Sequence, residues 1–161
     1  MAKMFDVPLD YFAGETPLKE IPGVVELRRN AVPIIGSIAC GTPILADENI
    51  EGYTDRPKGV TADFALRCQG DSMAPTFFDG DLVLVRKQSD VGDGRIAAVR
   101  IGEEATLKRI HHLPDGFILV PDNNAEYAPQ ILRGEETEDV EIMGTAVGFV
   151  RMMDGEGGRV R

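Results

Sequence analysis

The sequence predicts a mainly β protein, a compact and strongly twisted multi-stranded domain that takes up most of the chain. Two observations predict it. From Asp63 onward, apolar residues come in short runs of strand length. Asp-Gly, Pro-Asp-Gly and Gly-Glu-Glu steps separate those runs where turns are needed. With 161 residues, 43% of them hydrophobic, the chain has room for one ordinary domain with a real core plus a short appendage.

Residues 1–14 place apolar side chains at Met1, Met4, Phe5, Leu9, Tyr11 and Phe12 before Gly14, the pattern of a short amphipathic helix with a glycine stop. Residues 15–31 carry Pro17, Pro22 and Gly23 among mixed charges and end in Arg28-Arg29, which suits a linker. A short apolar run, Val32 to Gly36, opens the domain proper, expected over 32–152. The small-residue step Ala39-Cys40-Gly41 follows it, then Thr42-Pro43.

Phe64 to Gln69 reads as a strand. Leu82 to Val85 reads as another, buried on both faces, with Asp79-Gly80 as the turn before it. A turn at Asp93-Gly94 opens Arg95 to Ile101, and Gly102-Glu103-Glu104 reverses the chain into a hairpin partner, Ala105 to His111. Pro114-Asp115-Gly116 leads into Phe117 to Val120, and the last strands fall within Val140 to Val150. Residues 153–161 read as a tail, fraying through the three glycines that follow Asp154.

Net charge is −10, and residues 111–161 hold 4 basic against 10 acidic side chains, a net of −6. A nucleic-acid binder needs a positive footprint against phosphate, so any DNA-binding surface must lie elsewhere. Cys40 and Cys68 lie far apart with no CxxC spacing, which indicates neither a disulfide framework nor a zinc site. No cofactor or metal is expected. No apolar run approaches the ~18 residues of a membrane span. The N-terminus also lacks a signal-peptide pattern, and a soluble, cytoplasmic protein with no membrane partner is expected.

The chemistry centres on Ser72, in Gly70-Asp71-Ser72-Met73-Ala74-Pro75-Thr76, and on Lys108, 36 residues later in Ala105-Thr106-Leu107-Lys108-Arg109-Ile110. A serine hydroxyl is a poor nucleophile until a base removes its proton. His111 and His112 are adjacent, so on a strand only one of them can enter a site, and no acid at a recognisable spacing completes a triad. Lysine serves only when neutral, which at pH 7 costs about 4.6 kcal/mol from its usual pKa. Burial in an apolar site can supply a shift of that size. On an extended segment Thr106, Lys108 and Ile110 share one face and Leu107, Arg109 and His111 the other, so Lys108 can point inward. Read singly, these residues leave other roles open. Ser72 can cap a helical turn over Met73 to Phe78, Lys108 can be a solvated strand lysine, and Cys40 can be a nucleophile, although no base matches it.

From about Pro33 to Val150 the chain resembles the self-cleaving domain of LexA-type and lambda-type phage repressors and of the related UmuD mutagenesis protein. The resemblance is carried by Gly-x-Ser-Met-x-Pro at Gly70 to Pro75, Asp79-Gly80-Asp81 with two apolar residues, the Lys108-Arg109 strand, and Gly144-Thr145-Ala146-Val147-Gly148. It implies the β fold that this family shares with signal peptidases. It also implies Ser72 as nucleophile, Lys108 as general base, Cys40-Gly41 as the scissile bond and backbone N–H groups of Asp71 and Ser72 as the oxyanion donors. A signal peptidase would need a membrane anchor, and none is visible in the sequence.

Residues 1–14 resemble the last helix and closing turn of a repressor's helix-turn-helix domain. Operator DNA would then be met only through an N-terminal domain that the chain lacks. The resemblance further implies a homodimer joined near Thr145 to Val150 and a RecA filament that promotes cleavage. The expected function is that of a prophage or SOS-type transcriptional repressor fragment that cuts itself and ends repression. The alternatives are a UmuD-like self-cleaving subunit of an error-prone polymerase and a non-cleaving dimerisation module of a repressor.

Overall fold

A computed structural model describes residues 30–36 and 44–153. Among them run strands β1 (Ala31–Ile35), β2 (Ile50–Asp55), β3 (Phe64–Arg67), β4 (Leu82–Lys87), β5 (Ile96–Ile101), β6 (Glu104–Leu113), β7 (Gly116–Val120), β8 (Gln130–Arg133) and β9 (Val140–Val150). All nine join one mixed sheet in the order β2-β1-β3-β4-β9-β5-β6-β7-β8. β1 and β3 pair in parallel, and every other neighbouring pair is antiparallel. The mainly β expectation therefore holds. The helix expected over 1–14, nearly all of the 15–31 linker and the tail beyond Met153 lie outside the described residues.

β3 to β7 fall on the expected segments, and Leu82 to Val85 are buried on both faces as the sequence predicts. Three features differ. Val140 to Val150 is a single strand of 11 residues, not several, and it runs between β4 and β5 near the middle of the sheet. β2 and β8 had no strand signal because they are the sheet edges. β2 alternates only half-buried and exposed residues around Gly52, and in β8 Leu132 alone is buried. The Met73 to Phe78 segment is a turn and not a helix, stitched by Phe77 N–H to the Met73 carbonyl at 3.0 Å and Ala74 N–H to the Asp71 carbonyl at 3.1 Å.

The sheet makes its core by curling on itself. Ladder register slips where β9 meets β4, between Leu84 and Val85, and again where β9 meets β5, between Ala98 and Val99. Such bulges add local twist and bend the strand. Alternate side chains then feed different clusters. Phe64, Leu66, Val83 and Val85 pack with Met73 and Phe77, while Ala65, Leu82 and Leu84 pack with Val32, Ile34 and Ala62. A third cluster, built on Val91, Val99, Ile110 and Leu119, supports the β5–β8 half.

One buried ion pair ties the end of β9 to the loop before β4. Asp81 is fully buried, and Arg151 donates Nε and Nη2 to its two oxygens at 2.8 and 2.6 Å. The Phe78 N–H donates to the same carboxylate at 2.8 Å, and the Arg151 guanidinium lies over the rings of Phe78 and Phe149. A charge removed from water needs this degree of pairing. The next residues on the chain are equally tied: Gly70 N–H donates to Asp79 Oδ1 at 2.8 Å and Gly80 N–H to the Cys68 carbonyl at 2.8 Å. Residues 70–81 are thereby closed into a braced loop.

Gly144 is a close-approach glycine. A Cβ there would lie 2.2 Å from the Arg86 carbonyl oxygen, which is backbone and cannot step aside, whereas one at Gly148 would meet only Leu84 Cδ1 at 4.0 Å. Gly144→Ala should therefore force β9 off β4 and cost about 2 kcal/mol or more, in line with overpacked cores. Gly148→Ala should fall within about 0.5 kcal/mol of the parent. Urea midpoints of the two variants check this contrast.

Candidate active site

Ser72 opens the turn between β3 and β4, and the same turn buries Met73 and Phe77 in the core. Those two anchors fix the turn's floor and leave Ser72 half-buried at its rim. The Ala74–Pro75 peptide in this turn is cis. Lys108 lies mid-way along β6 opposite Ala97 on β5, a small residue that leaves space for a long side chain. The structure brings the two together: Lys108 Nζ is 3.3 Å from Ser72 Oγ, across 36 residues of sequence.

Two further acceptors complete the surroundings of the amine, Thr106 Oγ1 at 2.9 Å and the Leu107 carbonyl at 3.0 Å. A neutral amine has two N–H donors and one lone pair. In its neutral form, with both donors on Thr106 and Leu107, the amine would turn its lone pair to the Ser72 hydroxyl. Burial pushes the Lys108 pKa down, and the nearby Cys68 opposes that shift. Cys68 itself is held above its usual value by burial, then by Asp81 and Asp79, so it stays a thiol. Neither competing role suggested by the sequence is seen. The Ser72 hydroxyl caps no helix, and Lys108 is not a solvated lysine. His112 engages Asp93 through both its ring and its N–H.

Beside the pair runs a cleft of about 360 Å³ whose walls include Ile35, Gly36, Leu66, Ser72, Met73 and Leu107. Gly36 is also where the described chain breaks off, resuming at Ile44. Ile44 packs against the same cluster that holds Met73. Cys40 and Gly41, the expected scissile pair, lie outside the described residues. Of Asp71 and Ser72, expected as oxyanion donors, Ser72 lines the cleft and Asp71 does not, and among the described residues nothing accepts from their backbone N–H groups.

Thr106 had been placed on the Lys108 face without a role, and its short reach to Nζ is what the β6 periodicity could have signalled. Asp122, Asn123 and Tyr127 were not anticipated at all. They lie in the 121–129 loop, with no pattern linking them to Ser72, and yet they contact the Ser72 turn. Among the described residues no cluster of three or more His, Cys, Asp or Glu could hold a metal ion. No helix among them is long and apolar enough to cross a membrane.

With a serine and a lysine facing each other at the head of a cleft in a curled β sheet, the comparisons fall into place. The peptidase S24-like family model matches residues 33–147. The chain is 37% identical over 127 residues to a LexA repressor of Hahella chejuensis, covering 76% of this chain and 63% of that one. It is 42% identical over 130 residues to a LexA repressor of Geobacillus kaustophilus, covering 77% and 60%. A LexA repressor of Leptospira interrogans matches at 33% over 143 residues, covering 86% and 66%. The chain belongs to the peptidase S24-like family, the LexA/UmuD group of self-cleaving peptidase domains. It spans about three-fifths of the length of the curated relatives it matches.

The lowered Lys108 pKa has a stability consequence. Between its folded value and the unfolded value of 10.5 the unfolded chain holds more protons, so stability rises with pH in that window. Below both values the fold bears the full desolvation penalty. Lys108→Met should therefore raise the melting temperature at pH 7, by ~2–4 °C for each kcal/mol recovered. That gain should shrink as pH approaches 10.5. A lower melting temperature for the variant at pH 7 would contradict the burial penalty.

Proposed function

We propose that this chain is the self-cleaving portion of a prophage or SOS-type transcriptional repressor, with Ser72 as nucleophile, Lys108 as general base and Cys40-Gly41 as the bond cut. The observation that carries the reading is the 3.3 Å approach of Lys108 Nζ to Ser72 Oγ at the head of a cleft from whose wall, at Gly36, the Cys40 segment departs. Cys40 is four residues beyond Gly36, a reach of at most ~14 Å.

In this mechanism the neutral Lys108 amine takes the Ser72 proton as Oγ attacks the Cys40 carbonyl carbon. The Asp71 and Ser72 N–H groups receive the developing oxyanion. Collapse breaks the Cys40–Gly41 C–N bond, and the Lys108 ammonium gives its proton to the Gly41 nitrogen. Water then attacks the acyl-serine with Lys108 again as base, leaving a Cys40 carboxylate and a free Ser72 hydroxyl. A tethered substrate replaces a bimolecular encounter, so two side chains and a few backbone groups suffice.

Residues 1–14 then close a helix-turn-helix domain, 15–31 link it, 32–152 form the peptidase and dimerisation unit, and 153–161 are a tail. Cleavage separates the DNA-binding part from the homodimer, and loss of avidity ends operator binding. A RecA filament acts in this reading by favouring the loop conformation that docks, a population shift and not added chemistry. The setting is the cytoplasm, and the product of LexA relatives, a repressor by name, is the precedent for the biological output.

The lysine base fixes the sign of the pH dependence. The cleavage rate should climb tenfold per unit below the folded Lys108 pKa, about 1.4 kcal/mol of barrier per step. It should level off before 10.5, because burial lowers that pKa. Fragment masses over pH 5–10 test it: a cut between Cys40 and Gly41 that disappears in Ser72→Ala and Lys108→Ala is expected, and a rate flat across that whole range removes lysine as the base. Gly41→Phe should block the cut while leaving the melting temperature unchanged. Persistence of the cut would show that the cleft does not select a small residue.

A further inference from the structure

A contact of 3.3 Å between side chains on a loop and a strand needs something that fixes the loop along the strand. The core anchors Met73 and Phe77 set the depth of the Ser72 turn, but depth alone leaves it free to slide and tilt. Among the described residues, the bonds that reach residues 71–76 from outside the β3–β4 connection, that of Lys108 apart, come from the loop between β7 and β8.

Asp122 is the first of them. Its carboxylate accepts from Thr76 Oγ1 at 2.5 Å, and the same carboxylate takes both Nε and Nη2 of Arg109 at 2.9 Å. Arg109 is the residue after Lys108, and its third arm donates Nη1 to the Gly94 carbonyl at 2.6 Å. One carboxylate therefore ties the turn that carries Ser72 to the strand that carries Lys108. The bidentate fork makes the tie directional as well as strong. Burial would raise the Asp122 pKa, but the bonds from Arg109 and Thr76 overcome that and hold it below its usual value, so it is ionised at neutral pH.

Asn123 is the second. Its N–H donates to the Ser72 carbonyl at 3.0 Å, and its Nδ2 donates to the Asp71 carbonyl at 3.2 Å. Tyr127, the end of the same turn, donates its hydroxyl to the Asp71 carboxylate. In a planar trans peptide the C=O and the following N–H point in opposite directions. Holding the Asp71 carbonyl thus aims the Ser72 N–H away from Asn123, and holding the Ser72 carbonyl aims the Met73 N–H likewise. Both peptide planes that flank Ser72 are held by residue 123, one through its backbone N–H and the other through the asparagine side chain, which alone is lost in Asn123→Ala.

We propose that Asp122 and Asn123 are positioning residues for the Ser72–Lys108 pair: Asp122 fixes the spacing between nucleophile and base, and Asn123 fixes the peptide planes on either side of the nucleophile. The inference rests on the reading of that pair given above. Neither residue touches the reacting atoms. Both act through the Ser72 turn, where a displacement of about 1 Å can cost on the order of a hundredfold in rate.

The test is the first-order rate of fragment formation in the full chain over pH 7–10, with a thermal melt for each variant. Asp122→Ala and Asn123→Ala should each lower the plateau rate by about tenfold or more, equivalent to ~1.4 kcal/mol of barrier. The pH midpoint should stay put, because Thr106, Leu107 and Cys68 around Lys108 are unaltered. Thr76→Val removes one hydroxyl from an otherwise isosteric side chain, should lower the plateau on its own, and should add nothing in the Asp122→Ala background, because the two share one bond.

A folded variant that cuts at the parental plateau rate, with only its melting temperature reduced, makes the loop a structural brace and overturns the inference. A shifted midpoint with an unchanged plateau overturns it too, because Asp122 would then act on the Lys108 charge. Should Asp122→Ala fail to fold, Thr76→Val decides alone, in either direction. A parent chain that does not cut overturns the underlying Ser72–Lys108 reading, whereas a parent that cuts beside variants that cut equally fast overturns only the positioning role.

Discussion

The architecture of this protein answers to one demand, that an amine and a hydroxyl from distant parts of the chain meet at 3.3 Å out of bulk water. An exposed lysine would satisfy the distance and fail the chemistry, because its proton would stay on. Burial lowers the Lys108 pKa, and in the proposed chemistry Thr106 and the Leu107 carbonyl would occupy the donors of the neutral amine and leave its lone pair one direction. The second of those acceptors is the main chain of β6, so the geometry is written partly into the strand itself. A lysine on a mobile loop would have no such fixed acceptor.

Bringing the serine to that amine is a task of sheet curvature. A flat sheet in the order observed would set the β3–β4 connection two strands away from β6, with β9 and β5 between. The register slips on both sides of β9 bend the sheet until the Ser72 turn packs Met73 and Phe77 into the same cluster as Leu107 of β6. The long central strand is where the bend is made, which is why a glycine in contact with the neighbouring backbone sits in it. The Asp81–Arg151 pair then locks the end of that strand to the loop that carries Ser72.

Much of this was legible in the sequence, and the exceptions have a common cause. Strands β3 to β7 announce themselves because each buries a face and is bounded by a turn residue: Asp79-Gly80 before β4, Asp93-Gly94 before β5, Gly102 between β5 and β6. Gly80, Gly94 and Gly102 have the positive φ such turns require. β2 and β8 are silent because an edge strand buries little, and a pattern of burial is all that a single sequence can display. At the site, Ser72 and Lys108 were legible as a pair of residue types, and two-residue periodicity showed only that Lys108 could point inward. Asp122, Asn123 and Tyr127 were not, since their bonds to the Ser72 turn span 46 to 56 residues and depend on the curl of the whole sheet. Periodicity reports which way a side chain faces; it carries nothing about what the fold brings to meet it.

The same arrangement sets a limit on how stable the domain can be. A lysine held below its ordinary pKa is destabilising at every pH where the unfolded chain would keep it protonated, and among the described residues no carboxylate is paired with it; Asp122 of the adjoining loop is committed to Arg109 and Thr76. A carboxylate beside Lys108 would relieve the penalty by stabilising the ammonium, and in doing so would remove the lone pair that faces Ser72. The domain therefore meets the cost elsewhere, in the clusters on both faces of β3 and β4 and in the buried Asp81–Arg151 pair. Those features are what allow an amine without a carboxylate partner to stay half-buried beside a serine.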